Sequence, residues 1–138
     1  MINRIFVDTN ILIYAYLDND IEKRDRAIIA LDKEPFLDAF YISTQVLNEF
    51  CSMFSKTKYR NKNINDYYFE ILNSFGILIV STDTISSAIK LQKKYSTSWW
   101  DALMLASAIE NNCNIMFTED LEHNQIIENK LSIINPLL

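Results

Sequence analysis

Apolar residues along this chain fall into short continuous runs separated by stretches with a helical stripe, and the two rhythms alternate. Residues 4–7 form a β-branched and aromatic run that predicts a first strand, and residues 10–17 follow with helical character. Residues 21–31 carry Ile21, Ala27, Ile28 and Leu31, a second helix that Pro35 should stop because proline lacks the donor a helix interior needs. Residues 40–42 predict a short strand. Ser43 or Thr44 then caps a helix whose core face is Val46, Leu47, Phe50, Cys51 and Phe54. Residues 56–63 are polar and basic and read as a loop.

The second half repeats the pattern. Residues 66–75 predict a helix, with Gly76 placed as its left-handed C-terminal cap. Residues 77–80 are continuously apolar, as in strands buried on both faces of a parallel sheet. Asp83 or Thr84 opens a helix through Ile85, Ala88, Ile89 and Gln92, and Ser98 opens another through Leu103, Ala106 and Ile109. Residues 114–117 and 131–134 predict the last strands, the second just before Pro136. Strands alternating with helices imply an α/β fold with a mostly parallel sheet, in which ligands bind beyond the carboxyl ends of the strands.

Composition narrows the function classes. With 138 residues, one glycine and two prolines, the chain is expected to form a single domain, residues 1–138, without linker or repeat. One glycine excludes any Gly-rich phosphate loop. No apolar run reaches membrane-span length, and Met1-Ile2-Asn3-Arg4 before a short strand is no signal peptide, so a cytoplasmic protein is expected. Cys51 and Cys113 read as small buried hydrophobes with no zinc spacing. The net charge of −5 has the wrong sign for a general nucleic-acid binder.

Four acids at element ends change that reading: Asp8, Glu49, Asp101 and Asp120. Carboxylates gathered in a cleft without basic partners raise one another's pKa, and a divalent cation with oxygen ligands is the natural neutraliser. If these four are ligands, the rest of the chain carries a net charge of only −1. Each also has an ordinary structural reading. Asp8 ends a strand, where it serves either as a helix cap or as a ligand, and Asn10 would orient it or bond its own backbone. Glu49 lies roughly 130° round its helix from the apolar face, where solvent is the default. Ser98-Trp99-Trp100-Asp101 matches a capping box, which two-oxygen chemistry makes compatible with ligation. Asp120 is preferred over Glu119 because Thr118 and Asp120 point the same way along an extended chain, with Thr118 holding a water or the ligand.

Phe6-Val7-Asp8-Thr9-Asn10-Ile11-Leu12, Ile42-Ser43-Thr44-Gln45-Val46-Leu47-Asn48-Glu49, Trp100-Asp101-Ala102-Leu103 and Phe117-Thr118-Glu119-Asp120-Leu121, in this order, resemble a PIN domain. More narrowly, the chain is similar to the VapC-type toxin ribonucleases of bacterial type II toxin–antitoxin pairs. The tail Glu119-Asp120-Leu121-Glu122-His123-Asn124-Gln125, followed by Ile134-Asn135-Pro136, is similar to a subgroup of that family; the subgroup usually has glycine where this chain has Asn124, a residue that tolerates the left-handed conformation. The resemblance implies a three-layer α/β fold, with a mostly parallel central sheet of four to five strands flanked by helices. It also implies a Mg2+- or Mn2+-dependent endoribonuclease whose catalytic and metal-binding residues are Asp8, Glu49, Asp101 and Asp120. In-line attack would leave 5′-phosphate and 3′-hydroxyl ends. The implied partners are an RNA substrate and a cognate antitoxin that covers the cleft, in a chain that forms homodimers.

Other features carry less. Lys56, Lys58, Arg60 and Lys62 around Tyr59 read as a solvated loop, or as an RNA-backbone contact with Tyr59 stacking a base. Trp99 and Trp100 read as packing anchors, the Tyr67-Tyr68-Phe69 run as core or dimer interface, and His123 as a surface or turn residue. One histidine leaves a Ser-His-Asp triad little support. The alternatives kept open are a housekeeping PIN nuclease in RNA processing and a catalytically silent PIN-like partner-binding protein. A phosphoacceptor domain is disfavoured, since no second aspartate accompanies Asp8 and no strand ends in lysine.

Overall fold

The structure is a computed structural model and describes residues 2–17, 20–32 and 38–138. Pro35, expected to stop the second helix, lies outside the described residues. The first half runs β1 (Asn3–Val7), α1 (Thr9–Tyr16), α2 (Ile21–Ala30), β2 (Asp38–Ser43), α3 (Thr44–Ser52) and α4 (Ile64–Ser74). The second runs β3 (Gly76–Leu78), α5 (Thr82–Tyr95), α6 (Trp99–Glu110), β4 (Ile115–Phe117), β5 (Ile126–Ile127) and β6 (Leu131–Ile134).

One six-stranded sheet has the order β3-β2-β1-β4-β6-β5 and is flanked by helices. Every pairing is parallel except that of β5 with β6. The sheet thus has one more strand than the expected four to five. β5 is only two residues long, too short to produce a periodic pattern.

The central position of β1 follows from its composition: Ile5, Phe6 and Val7 are all buried, as a strand covered on both faces requires. α6 is apolar all round, with Ala102, Leu103, Met104, Leu105, Ala106, Ser107 and Ala108 buried, so it forms the interior helix and packs along α5. From β1 the chain builds outward to β2 and β3, then returns through α5 and α6 to place β4 on the other side of β1. Strand order therefore reverses between β1 and β4, the kind of switch point at which α/β sheets open a crevice. The strand ends there are level. Val7 faces Phe117, Phe117 faces Ile134, and the Asp8 N–H donates to the Phe117 carbonyl at 3.0 Å.

Several local expectations change. Gly76 is not a helix cap; it opens β3 after Phe75 has already turned extended (φ −125°, ψ 146°), and its own φ is not positive. Glycine is needed there for close approach, because a Cβ would stand 2.5 Å from the Tyr41 ring. That ring is pinned: the Arg4 guanidinium lies 4.4 Å from its centroid and donates to its hydroxyl at 2.7 Å. The same guanidinium donates twice to the Asn111 carbonyl at the end of α6, at 3.2 and 2.8 Å. β3 is an edge strand ending at Leu78, and Ile79 is 69% exposed, so the 77–80 run is not buried on both faces.

Ser43 caps α3, and Ser81, with Thr84 reciprocating, caps α5 two residues ahead of Asp83. On α2 only Ala27 is buried, while Ile21, Ile28 and Ile29 are exposed. The 56–63 segment is not a plain loop: short 3₁₀ turns at Met53–Ser55 and Thr57–Tyr59 tuck Tyr59 into the core. Asn124 does take the left-handed conformation, at φ 70°. Among the described residues no helix is long and apolar enough to cross a membrane.

Gly76→Ala is expected to lower unfolding stability by about 1–3 kcal/mol in urea denaturation, the usual cost of forcing atoms into a filled space. In a Tyr41→Ser background the same Gly76→Ala change should cost less, because the ring's position is vacated.

Candidate active site

A cleft of about 730 Å³ opens above the carboxyl ends of β1 and β4 and is lined by Asp8, Glu49, Asp101 and Asp120 together with Asn10. Elements far apart in sequence supply them: the end of β1, the middle of α3, the first turn of α6 and the turn after β4. Among the described residues, no Lys, Arg or His lines the cleft.

Asp8 is the deepest of the four, at 2% exposure. Its main chain caps α1 without a side-chain cap bond, the carbonyl accepting from Ile11 N–H at 3.1 Å. The carboxylate is therefore not used up as a cap. The Thr118 hydroxyl donates to Asp8 Oδ2 at 2.7 Å and accepts the Asp120 N–H at 3.1 Å, so one buried hydroxyl ties both acids together. Burial pushes the Asp8 carboxyl up to about 7; the Thr118 hydrogen bond works against the rise, and the charges of Asp120 and Asp101 add to it.

Glu49 is half-buried rather than solvated. Thr9 Oγ1 donates to its Oε2 at 2.7 Å and Gln45 Nε2 to its Oε1 at 2.9 Å. Asp101 sits in the first turn of α6, its N–H donating to the Ser98 side chain at 3.1 Å. Asp120 stands exposed at the rim, yet its carboxyl is also raised, by partial desolvation first and then by Asp101 and Glu119.

Asn10 donates to Asp120 Oδ2 at 3.4 Å, so it serves that acid rather than Asp8. Glu119 turns away from the cleft, accepts from the Tyr14 hydroxyl and lies 4.0 Å from Lys23 Nζ. Strand alternation is not what separates Asp120 from Glu119, because the chain bends after Thr118 instead of staying extended. Lys56, Lys58 and Arg60 are exposed on the segment after α3 and do not line the cleft; Tyr59 is 2% exposed and has no face to offer a base.

Trp99 packs half-buried against the core. Trp100 is no packing anchor: it is 60% exposed and lines the cleft with Val80, Leu103 and Met104. His123 pins the chain end, its Nδ1 accepting the Asn135 N–H at 2.9 Å. Sequence reading missed Thr9 and Gln45. The signal for Gln45 was present, since it lies one turn before Glu49 on the same face of α3.

The donor set suits a hard divalent cation, being oxygen-rich and anionic, with no Lys, Arg or His lining the cleft among the described residues. Among the described residues no three His, Cys, Asp or Glu side chains are placed as a ready cage. Mg2+ does not demand one, since it keeps several waters and takes one or two carboxylates.

The sequence pattern of the PIN domain matches residues 5–128. No protein of curated function matches the sequence. Among solved structures, the fold resembles a toxin–antitoxin complex from Klebsiella pneumoniae, with TM-score 0.71 and 23% identity over 95% of this chain and 96% of that one. It also resembles VapC20 of Mycobacterium tuberculosis, a sarcin–ricin loop cleaving toxin, with TM-score 0.65 and 19% identity over 84% and 91%. VapBC2 of Rickettsia felis, bound to a DNA fragment from its promoter, gives TM-score 0.60 and 20% identity over 96% and 99%. At such identities these likenesses establish the fold.

The raised Asp8 carboxyl has a signed consequence for stability. Between its ordinary 3.8 and about 7 the folded state holds a proton that the unfolded state has lost, so stability falls as pH rises through that window. An asparagine in its place would still accept from Thr118 without carrying the charge. Asp8→Asn should therefore be more stable than wild type above pH 7 without metal, by at most about 4 kcal/mol, with the gap closing toward pH 4. Thermal melts of both proteins across that range check this.

Proposed function

The chain belongs to the PIN-domain family, and on that footing we propose that it is a metal-dependent endoribonuclease, the toxin of a type II toxin–antitoxin pair. The observation that carries the reading is the convergence of Asp8, Glu49, Asp101 and Asp120 on one cleft that no basic residue lines among the described residues. These four would hold Mg2+ or Mn2+, and the bound cation would supply an activated water and neutralise charge on the phosphodiester.

The chain's own residues do the positioning. Thr118 orients Asp8, Thr9 and Gln45 orient Glu49, and Asn10 orients Asp120, all through neutral donors that leave the negative charge in place. The walls suit a nucleotide strand: Thr44, Asn48 and Ser52 offer polar groups to sugar and phosphate, while Trp100, Val80 and Met104 offer an apolar face to a base. Lys56, Lys58 and Arg60 stand outside the cleft, where they would meet the RNA backbone farther along the strand.

RNA as substrate and an antitoxin as partner are supported by the structural neighbours, one a toxin that cleaves the sarcin–ricin loop and two of them toxin–antitoxin assemblies. A cytoplasmic location and a homodimer complete the proposal.

Purified protein freed of any co-purified partner should cut a mixed RNA pool only when Mg2+ or Mn2+ is present, and Asp8→Ala and Asp101→Ala should reduce cutting to background. A wild type that stays inactive with metal favours a silent partner-binding protein instead. A short open reading frame directly upstream of the gene is expected for a toxin, and its absence would favour a housekeeping nuclease. Reversing the charges of Lys56, Lys58 and Arg60 should weaken RNA binding and flatten its log–log salt dependence by about 0.7 for each phosphate no longer neutralised.

A further inference from the structure

Gln45 is a buried polar side chain that ordinary packing does not account for. It is 8% exposed, yet it lies on α3 with its amide facing the acidic cleft. Its Nε2 donates to Glu49 Oε1 at 2.9 Å and to the Trp100 carbonyl at 3.2 Å. Both partners only accept, so the orientation of the amide is settled by chemistry: the nitrogen must point at them. The opposite atom, Oε1, is buried and has no hydrogen-bond partner among the described residues. A leucine or methionine would fill this space without stranding an acceptor, so the amide carries a cost in stability that packing does not repay.

What the amide links is informative. Glu49 lies one turn along α3, and Trp100 immediately precedes Asp101 in the first turn of α6. Cross-strand hydrogen bonds tie β1 to β4, and Thr118 joins Asp8 to Asp120. As helices, α3 and α6 share no such ladder. The Gln45 bridge supplies a direct polar tie between the helix bearing Glu49 and the turn bearing Asp101.

We propose that Gln45 is a positioning residue. It sets the Glu49 carboxylate relative to the backbone beside Asp101, so that the pair takes up a divalent cation without first rearranging. This rests on the reading of the cleft as a metal site. Residues that orient ligands from behind typically change metal affinity by roughly 10- to 100-fold when removed, which gives the expected size of the effect.

The test uses the full chain and Mn2+ as the probe. Calorimetric titration of metal-free wild type, Gln45→Met and Gln45→Leu, each with its thermal melt, should show cooperative melts throughout and Mn2+ affinity about 10- to 100-fold weaker in both variants. The paramagnetic resonance spectrum of bound Mn2+ should broaden as the site loses definition. In RNA cleavage the variants should need correspondingly more Mn2+ for half-maximal rate, while the rate at saturating Mn2+ returns close to that of wild type. A merely structural role would lower the melting temperature and leave Mn2+ affinity alone. Wild-type affinity in a folded Gln45 variant overturns the proposal by itself, whereas a wild type that binds no Mn2+ overturns the metal-site reading and this proposal with it.

Discussion

A carboxylate is held where it is costly to ionise, and the site is organised around that constraint. Asp8 follows the most buried strand of the sheet, and its carbonyl is already engaged by the first turn of α1. The side chain is left at the floor of the cleft, 2% exposed. Asp101 and Asp120 add like charge to a group that burial has already pushed up to about 7. Such a cluster relaxes by holding a proton or by accepting a cation, and the architecture keeps both open.

The partners chosen for these acids explain why the tension persists. Thr118, Thr9, Gln45 and Asn10 donate hydrogen bonds but carry no charge, so they fix direction without cancelling the field. One residue away, Glu119 shows the contrasting solution: it turns out of the cleft to Tyr14 and Lys23. The chain therefore does place a cation beside an acid in this turn, for Glu119 and not for Asp120. That difference leaves the charge of Asp120 uncompensated by a basic side chain in the same turn.

The end of the sheet remote from the cleft is held by a single interlocked set of contacts. Arg4 stacks on Tyr41, bonds its hydroxyl and closes the Asn111 carbonyl at the end of α6, while Gly76 gives the ring room against β3. This ties β1, β2, β3 and the end of α6 together at the edge remote from the cleft. Asp8 and Asp120, which follow β1 and β4, are thereby carried on strands anchored at their far ends.

How much of this was legible depended on the range of the forces involved. Local pattern was enough for the α/β class, the parallel strands and most helix starts, because periodicity and capping are properties of neighbouring residues: Ser43 and Ser98 cap α3 and α6, and β6 spans residues 131–134 as expected. Asp8, Asp101 and Asp120 were legible as residues at strand ends and a helix start for the same reason, whereas Glu49 lies in the middle of α3 and not at an element end. Tertiary structure decided what depends on residues far apart in the chain. It made 77–80 an edge rather than a buried strand, and it gave Gly76 a steric role against Tyr41 that no local rule contains. It buried Tyr59, exposed Trp100, and separated Asp120 from Glu119 by a turn rather than by strand alternation. Above all, it reversed the strand order between β1 and β4, and that reversal brings Asp8 beside Thr118 across 110 positions of sequence. Types and ends of elements come from short-range propensity, which a sequence displays; their meeting in one cleft comes from long-range packing, which only the folded chain resolves.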